Sequence, residues 1–203
     1  MSPPFPLWLR VAALAWLALF VVVYWRVYGP LNFLHLCDVA VILTCIGLWR
    51  GSALLLSSQA ISSLVIDLTW NIDVLWRLLL GRHLLGGTEY MWDARWPLAV
   101  RAMSLFHLVW PPLLLWALGR VRYDRRALLL QSLVGAALLA GSAVLAPGLN
   151  INFAERDPFV GRQWGPPAVH VVLTWAVLVG AIYWPTHLLL MKLFSQLDAA
   201  RPS

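Results

Sequence analysis

Long runs of apolar residues, separated by short polar joints, follow one another along the whole chain. About six of them approach the ~20 residues that a helix needs to cross a bilayer. They are residues 7–24, 31–49, 52–70, 97–118, 127–146 and 169–194. This pattern predicts an all-α, polytopic transmembrane bundle of about six helices, forming a single domain over residues 1–203.

Glycine, proline and charged residues mark the joints between these runs. The first run is longer than the apolar core of a signal peptide and lacks a small-residue cleavage site, so we expect it to be retained as a span. Residues 71–80 either extend the third helix or turn along the surface as a short amphipathic piece, and the pattern favours neither. Pro185 predicts a kink in the last helix.

Composition agrees with a membrane protein and sets its orientation. The chain is 61% hydrophobic and 12% charged, with 13 tryptophans, a residue that collects at membrane interfaces. The net charge of +6 is concentrated in GRVRYDRR, residues 119–126, between two apolar runs. Such a basic loop marks the cytoplasmic side, and counting spans outward puts both termini there, in agreement with Lys192 and Arg201. We expect no nucleic-acid partner and a location in a bacterial inner membrane.

Titratable residues inside the apolar runs indicate a site, because ionisable groups within a membrane normally face the bundle interior or a wet cavity. In the predicted topology they come from four helices and gather in the outer half of the bilayer, except that His107 is expected close to its middle. The candidates are His35, Cys37 and Asp38 on the second span, Asp67 and Asn71 on the third, Arg101 and His107 on the fourth, and His170 on the sixth.

The candidate chemistry is nucleophilic. Three-residue spacing on a helix predicts that His35 pairs with Asp38 and points away from Cys37, so the base for the thiol has to come from another helix. His107 is the candidate base for a Cys37 nucleophile. Cys45 has no charged neighbour in sequence and is assigned to packing. It would lie about 12 Å from Cys37 along one helix, which is too far for a disulfide.

The remaining candidates have supporting roles. Asp38, Asp67 and Asn71 are candidates to orient an imidazole, and Arg101 is a candidate to hold a phosphate headgroup or a carboxylate. His35 and His170 complete the set of orienting or substrate-binding residues. Membrane lipids are the expected substrate or ligand, and no cofactor is expected.

The string Leu34-His35-Leu36-Cys37-Asp38, with the later Phe106-His107 in a helix that carries two prolines, resembles the YwaF-like integral membrane family. The resemblance covers residues 31–118. That family is related to a transmembrane acyltransferase of ether phospholipids and, more remotely, to the androgen-induced hydrolases of fatty-acid esters. The resemblance implies a bundle of about six helices in which Cys37 is the nucleophile and His107 the histidine, acting on lipid acyl esters.

Two other functions fit the same residues. In the first, the chain is a non-catalytic lipid-binding or complex-forming subunit, and His107 is an interhelical hydrogen-bond donor. In the second, His35, His107 and His170 with Asp67 form the ligand set of an intramembrane zinc hydrolase, although no local metal-binding spacing supports it.

Overall fold

The computed structural model describes residues 4–199, and this part of the chain is helical with no strand. Arg201, used above for orientation, lies outside it. The helices are α1 (Leu7–Tyr28), α2 (Leu36–Arg50), α3 (Ala53–Leu80), α4 (Leu98–Met103), α5 (Phe106–Val121), α6 (Ala127–Leu145), α7 (Pro167–Val177) and α8 (Trp184–Ala199). Short 3₁₀ turns at Pro30–Leu34, Glu89–Trp92 and Ile151–Phe153 lie in the connections.

Five segments are long and apolar enough to cross a membrane, and the predicted all-α bundle is confirmed. They are α1, α3, α4 with α5, α6, and α7 with α8. Residues 71–80 extend α3, which runs for 28 residues without interruption. Such a helix is about 42 Å long at ~1.5 Å per residue, so it protrudes beyond the hydrocarbon layer.

The second crossing is built from two pieces. Helix α2 has 15 residues, about 22 Å, and the preceding 3₁₀ turn adds five residues, about 10 Å. The guanidinium of Arg10, near the start of α1, donates to the carbonyl of Trp49 at the end of α2. The chain therefore returns between Tyr28 and Trp49 across the layer that α1 spans, which makes six crossings.

Basic residues collect at one end of the bundle. The start of α1, the α2–α3 turn and the α5–α6 loop meet there, because Asp124 N–H donates to Ser57 Oγ and Tyr123 bonds His187 on α8. This end carries Arg10, Arg50, Arg120, Arg122, Arg125, Arg126 and Lys192. The opposite end carries as many basic residues among residues 4–199, but there they are mixed with Glu89, Asp93, Glu155 and Asp157. The orientation predicted from the loop at 119–126 puts the basic end in the cytoplasm. We call the opposite end the outer end.

Helix α3 lies at the centre and packs against α2, α5 and α6. A tight turn joins it to α2, with Gly51 in the left-handed conformation and Ser52 Oγ accepting from Leu55 N–H as the N-cap. A Cβ on Gly47 would lie 3.0 Å from the Leu56 side chain, so glycine permits the close approach of these two helices.

A short chain of amides joins three helical segments inside the bundle. Gln59 Nε2 on α3 donates to Gln131 Oε1 on α6 at 3.3 Å, and Gln131 Nε2 donates to the Tyr183 hydroxyl at 3.2 Å. All three side chains are fully buried. Hydrogen bonds of this kind stabilise membrane bundles by roughly 1 kcal/mol each.

We expect Gln131→Leu to lower the free energy of unfolding by about 1–2 kcal/mol, because both bonds of Gln131 are lost and the buried Gln59 amide keeps only the Ser58 hydroxyl as an acceptor. Reversible unfolding in detergent micelles measures this change. Ser132→Ala is the matched control, since the Ser132 hydroxyl bonds the carbonyl of Leu128 in its own helix. Equal stabilities for the two variants would contradict a structural role for the amide chain.

The last crossing departs from α-helical geometry just before Pro185, the residue at which the sequence predicts a kink. Residues Leu178–Tyr183 form a π-helical segment between α7 and α8. Pro185 has no N–H for the carbonyl four residues earlier, and its ring would clash there, so the local widening relieves the conflict.

Candidate functional site

A break in the fourth crossing shapes the outer half of the bundle. Helix α4 ends at Met103 and α5 begins at Phe106, with short-range bonds from Ser104, Leu105, His107 and Leu108 N–H to the carbonyls three residues earlier. Pro111 and Pro112 follow inside α5. Because proline removes a donor, the carbonyls of His107 and Leu108 lose the bonds that a regular helix would give them. The break and the prolines together leave several backbone carbonyls free for side chains.

Asn71 of α3 bonds one of these carbonyls. Its Nδ2 donates to the His107 carbonyl oxygen at 2.9 Å, in place of the N–H that Pro111 lacks. The Asn71 Oδ1 atom is buried and has no hydrogen-bond partner within the described residues. Asn71 therefore ties α3 to α5 at the level of the histidine.

The His107 ring is held on three sides. Its Nδ1 donates to the Ser104 carbonyl at 2.7 Å, which also accepts from the backbone N–H of His107. The ring stacks on Trp70, with centroids 4.6 Å apart and 10° between planes, and on Phe106 at 4.0 Å and 23°. Since Nδ1 carries the hydrogen, the lone pair of the neutral ring is on Nε2.

Asp67 faces that lone pair. Its Oδ1 lies 3.9 Å from His107 Nε2, longer than a hydrogen bond but within one small closing movement. Asp67 is only 2% exposed, and its Oδ2 has no hydrogen-bond partner among residues 4–199. A carboxylate and a neutral imidazole nitrogen are both acceptors, so the pair can bond directly only when it shares one extra proton. The arrangement is suited to taking up and releasing a proton.

Cys37 lies in the first turn of α2, beside two carboxylates. Its Sγ is 3.8 Å from Asp38 Oδ1, with the thiol as donor, and Asn32 Nδ2 donates to Asp38 Oδ2. Asp67 is close enough to interact electrostatically with Cys37. Contacts from Cys37 to Asp38 and Asp67, and from Asp67 to His107, join these four residues into one cluster in which the thiol is partly buried and the other three side chains are buried. Within the described chain the hydrogen-bond partner of the thiol is Asp38 and not His107.

Hydroxyl groups complete the cluster. The hydroxyls of Tyr24 and Ser104 share a hydrogen bond of 3.1 Å, and Trp70 Nε1 donates to the Tyr90 hydroxyl at 3.1 Å. Tyr90 comes from the 3₁₀ turn in the α3–α4 loop, where burial raises the pKa of its phenol. Tyr90 is therefore a neutral hydrogen-bonding group at ordinary pH, next to Cys37 and Ser104.

The loop between α6 and α7 fixes the start of α2 by hydrogen bonds. Asn152, in the left-handed conformation in the α6–α7 loop, accepts from Leu36 N–H at 3.0 Å and donates to the Leu34 carbonyl at 2.7 Å. This asparagine bonds both sides of the junction between the 3₁₀ turn and α2. It fixes the turn from which Cys37 and Asp38 project.

The predicted pairing of His35 with Asp38 is wrong. His35 is the N-cap residue of α2 with extended backbone, so the helical three-residue spacing does not apply to it. Its Nδ1 donates to the Asn32 carbonyl at 2.8 Å, while Asp38 bonds Asn32 and Cys37. His35 thus fixes the 3₁₀ turn, and a role in binding substrate stays a prediction.

Arg101 and His170 lie outside the cluster. Arg101 Nη1 donates to the Met91 carbonyl at 2.6 Å and secures the α3–α4 loop. His170 is fully buried, accepting from Trp164 N–H at Nδ1 and donating to the Phe153 carbonyl from Nε2. Both nitrogens of His170 therefore hold the α6–α7 loop. For both residues, contact with a substrate stays a prediction.

The zinc ligand set is not assembled. Within residues 4–199 no three side chains of histidine, cysteine, aspartate or glutamate are grouped so that they would hold a metal ion. His35 and His170 are engaged with backbone groups in different loops, away from the pair of Asp67 and His107.

Several site residues escaped the sequence analysis: Tyr24, Asn32, Trp70, Tyr90, Ser104 and Asn152. Tyrosine, tryptophan and asparagine are common near membrane interfaces and in turns, so single occurrences carry little information. One usable signal was Pro111, because a proline within a span frees a carbonyl four residues earlier and so predicts a donor near His107.

The fold and the cluster define an integral membrane protein of the helical-bundle class with a buried polar site at its outer end. Comparisons with protein-family models, with curated proteins and with solved structures give no match for this chain.

Proposed function

We propose that this protein is an intramembrane acyl-ester hydrolase or acyltransferase that acts on membrane lipids, with Cys37 as the nucleophile and His107 as a base. The observation that carries the proposal is the grouping of a partly buried thiol with two buried carboxylates and a buried imidazole, contributed by α2, α3 and α5. The resemblance to the YwaF-like family points to the same chemistry, and to a bacterial inner membrane.

The first half of the reaction forms a thioester. The Cys37 sulfur attacks the ester carbonyl carbon while the thiol proton passes to the Asp38 carboxylate, its hydrogen-bond partner. The bond between the carbonyl carbon and the alcohol oxygen then breaks, and the departing oxygen takes the proton that Asp67 and His107 share. The lipid alcohol leaves and the acyl group stays on sulfur.

The second half releases the acyl group. Water or a second lipid hydroxyl attacks the thioester, and His107 Nε2 accepts its proton. The sulfur leaves and regains its proton from Asp38. When water is the nucleophile, Asp67 Oδ2 or Asn71 Oδ1 can accept its second hydrogen, since these buried oxygens have no donor within the described chain.

Acyl transfer to the protein itself tests this function. The purified protein is incubated with phospholipid radiolabelled in its acyl chains, and the products are separated on a denaturing gel and by thin-layer chromatography. We expect label on the protein that neutral hydroxylamine removes, together with labelled free acid or a second acylated lipid. A protein that neither acquires label nor forms either product would contradict the proposal.

The second candidate is a structural lock, a non-catalytic arrangement in which His107 and Asn71 only hold the helices together. Asn71 bonds the carbonyl that lacks a donor because of Pro111, and the His107 ring bonds the Ser104 carbonyl at the helix break. A bundle without catalytic activity would need these contacts just as much, so the lock and the enzyme differ in their expected response to substitution of His107.

A further inference from the structure

An apolar groove lies on the side of the bundle next to the cluster. It has a volume of about 260 Å³ and runs between α1 and the α4–α5 crossing, lined by Trp16, Ala102, Met103, Leu105, Phe106, Val109 and Trp110. From Ala102 to Trp110 it follows nine residues along the end of α4 and the start of α5, a rise of about 12 Å at ~1.5 Å per residue. These dimensions describe a channel about one hydrocarbon chain wide.

The groove opens to the bilayer. Leu105 is 41% exposed and Val109 is 54% exposed, and both belong to a segment that crosses the membrane. Since the surroundings at this depth are lipid tails, a hydrocarbon chain can enter sideways without desolvating any polar group.

One ring separates the groove from the site. Phe106 lines the groove and stacks on the His107 imidazole with centroids 4.0 Å apart. Phe106 also contacts Phe20 edge-on at 5.9 Å, and Phe20 packs on Tyr24, whose hydroxyl bonds Ser104 of the cluster. The inner wall of the groove is therefore the outer wall of the polar cluster.

We propose that this groove binds one long acyl chain of the lipid substrate and presents its ester to Cys37 past the Phe106 ring. The inference rests on the proposed function for the identity of the reaction, and it adds the substrate class: lipids with a long, unbranched acyl chain. Binding energy from the chain is used to place the ester, so shortened substrates lose turnover as well as affinity.

Two neighbouring residues provide a matched test. Val109 lines the groove and Leu108 does not, although both are 54% exposed on α5. We expect Val109→Trp to fill the groove, lowering turnover of a long-chain phospholipid about tenfold or more while a short, water-soluble acetyl ester changes less than about twofold. Leu108→Trp should change neither rate. A Val109→Trp variant with the chain-length dependence of the wild type would overturn the inference.

A binding measurement separates this inference from the enzymatic activity. The protein is reconstituted in phospholipid vesicles containing a phospholipid with a diazirine near the middle of one tail, irradiated and analysed by peptide mass spectrometry. We expect labelling of Met103 and Phe106 that unlabelled long-chain phospholipid competes away, and its loss in Val109→Trp but not in Leu108→Trp. Non-competable labelling that is equal on Leu108 and Met103 would overturn the groove even if turnover is observed. Competable labelling without turnover would keep the groove and remove the reaction.

Discussion

Replacing Cys37 by alanine should abolish both acyl transfer to the protein and lipid turnover, with a loss of at least about 1000-fold in kcat. Removal of a covalent nucleophile leaves only the contribution of substrate binding and polar stabilisation, so residual activity is small. The bundle should still fold, because Cys37 is only partly buried and alanine is a good helix former at the start of α2. Labelling with acyl-labelled phospholipid measures the effect directly.

Cys45 is the matched control for this substitution. It is fully buried eight residues further along the same helix, and no carboxylate or histidine contacts it among the described residues. Cys45→Ala should retain the activity and the hydroxylamine-sensitive label, although loss of packing lowers its stability. Equal activity of Cys37→Ala and the wild type would remove Cys37 from the mechanism and favour the structural lock.

Substitution of His107 by glutamine separates catalysis from structure. If His107 Nε2 is a base, His107→Gln should lower kcat by about 100-fold or more, since glutamine cannot take up a proton. The amide can replace the donor that bonds the Ser104 carbonyl, so the free energy of unfolding should change by only about 1 kcal/mol. Turnover and unfolding are measured on the same preparation.

His187→Gln is the control for general effects of losing a buried histidine. His187 is buried at the cytoplasmic end and its Nδ1 is 2.6 Å from the Tyr123 hydroxyl, far from the cluster. We expect comparable stability losses for the two variants and a loss of turnover only for His107→Gln. A His107→Gln protein that is less stable but catalytically unchanged would show that the histidine is a helix-packing group.

The main features of the bundle could be predicted from the sequence because each span is a separate apolar run. The run lengths and breakers located the five segments that are long and apolar enough to cross a membrane, together with α2, and the basic loop at 119–126 indicated the end that also carries Arg10, Arg50 and Lys192. The sequence could not show whether α3 continues beyond Trp70, because a charged residue at position 73 fits either a longer helix or a turn along the surface. In the structure the Asp73 carboxylate accepts from the N–H groups of Leu84, Leu85 and Gly86, which gives a charged helix residue a place outside the lipid.

The site could be predicted in part. Cys37 contacts Asp38, and Asp67 and Asn71 both contact His107. Depth along each helix is a one-dimensional property that counting residues recovers, whereas the catalytic roles of these residues stay predictions. The hydrogen-bond partners of these side chains could not be derived from the sequence. They depend on the rotation of each helix about its axis and on the irregular backbone at residues 30–35 and 104–105. The error at His35 has this cause: the helix begins one residue later than a pairing with Asp38 requires.

The contact between Asn71 and the carbonyl that Pro111 leaves bare makes two distant positions dependent on each other. Within lipid, Pro111 leaves the His107 carbonyl without a backbone donor, and the Asn71 amide supplies that hydrogen bond. Without Pro111 a backbone N–H would bond this carbonyl, and the Asn71 amide would lose this role. The two positions should therefore be inherited as a unit, with neither persisting long in descendants of this chain after the other has mutated.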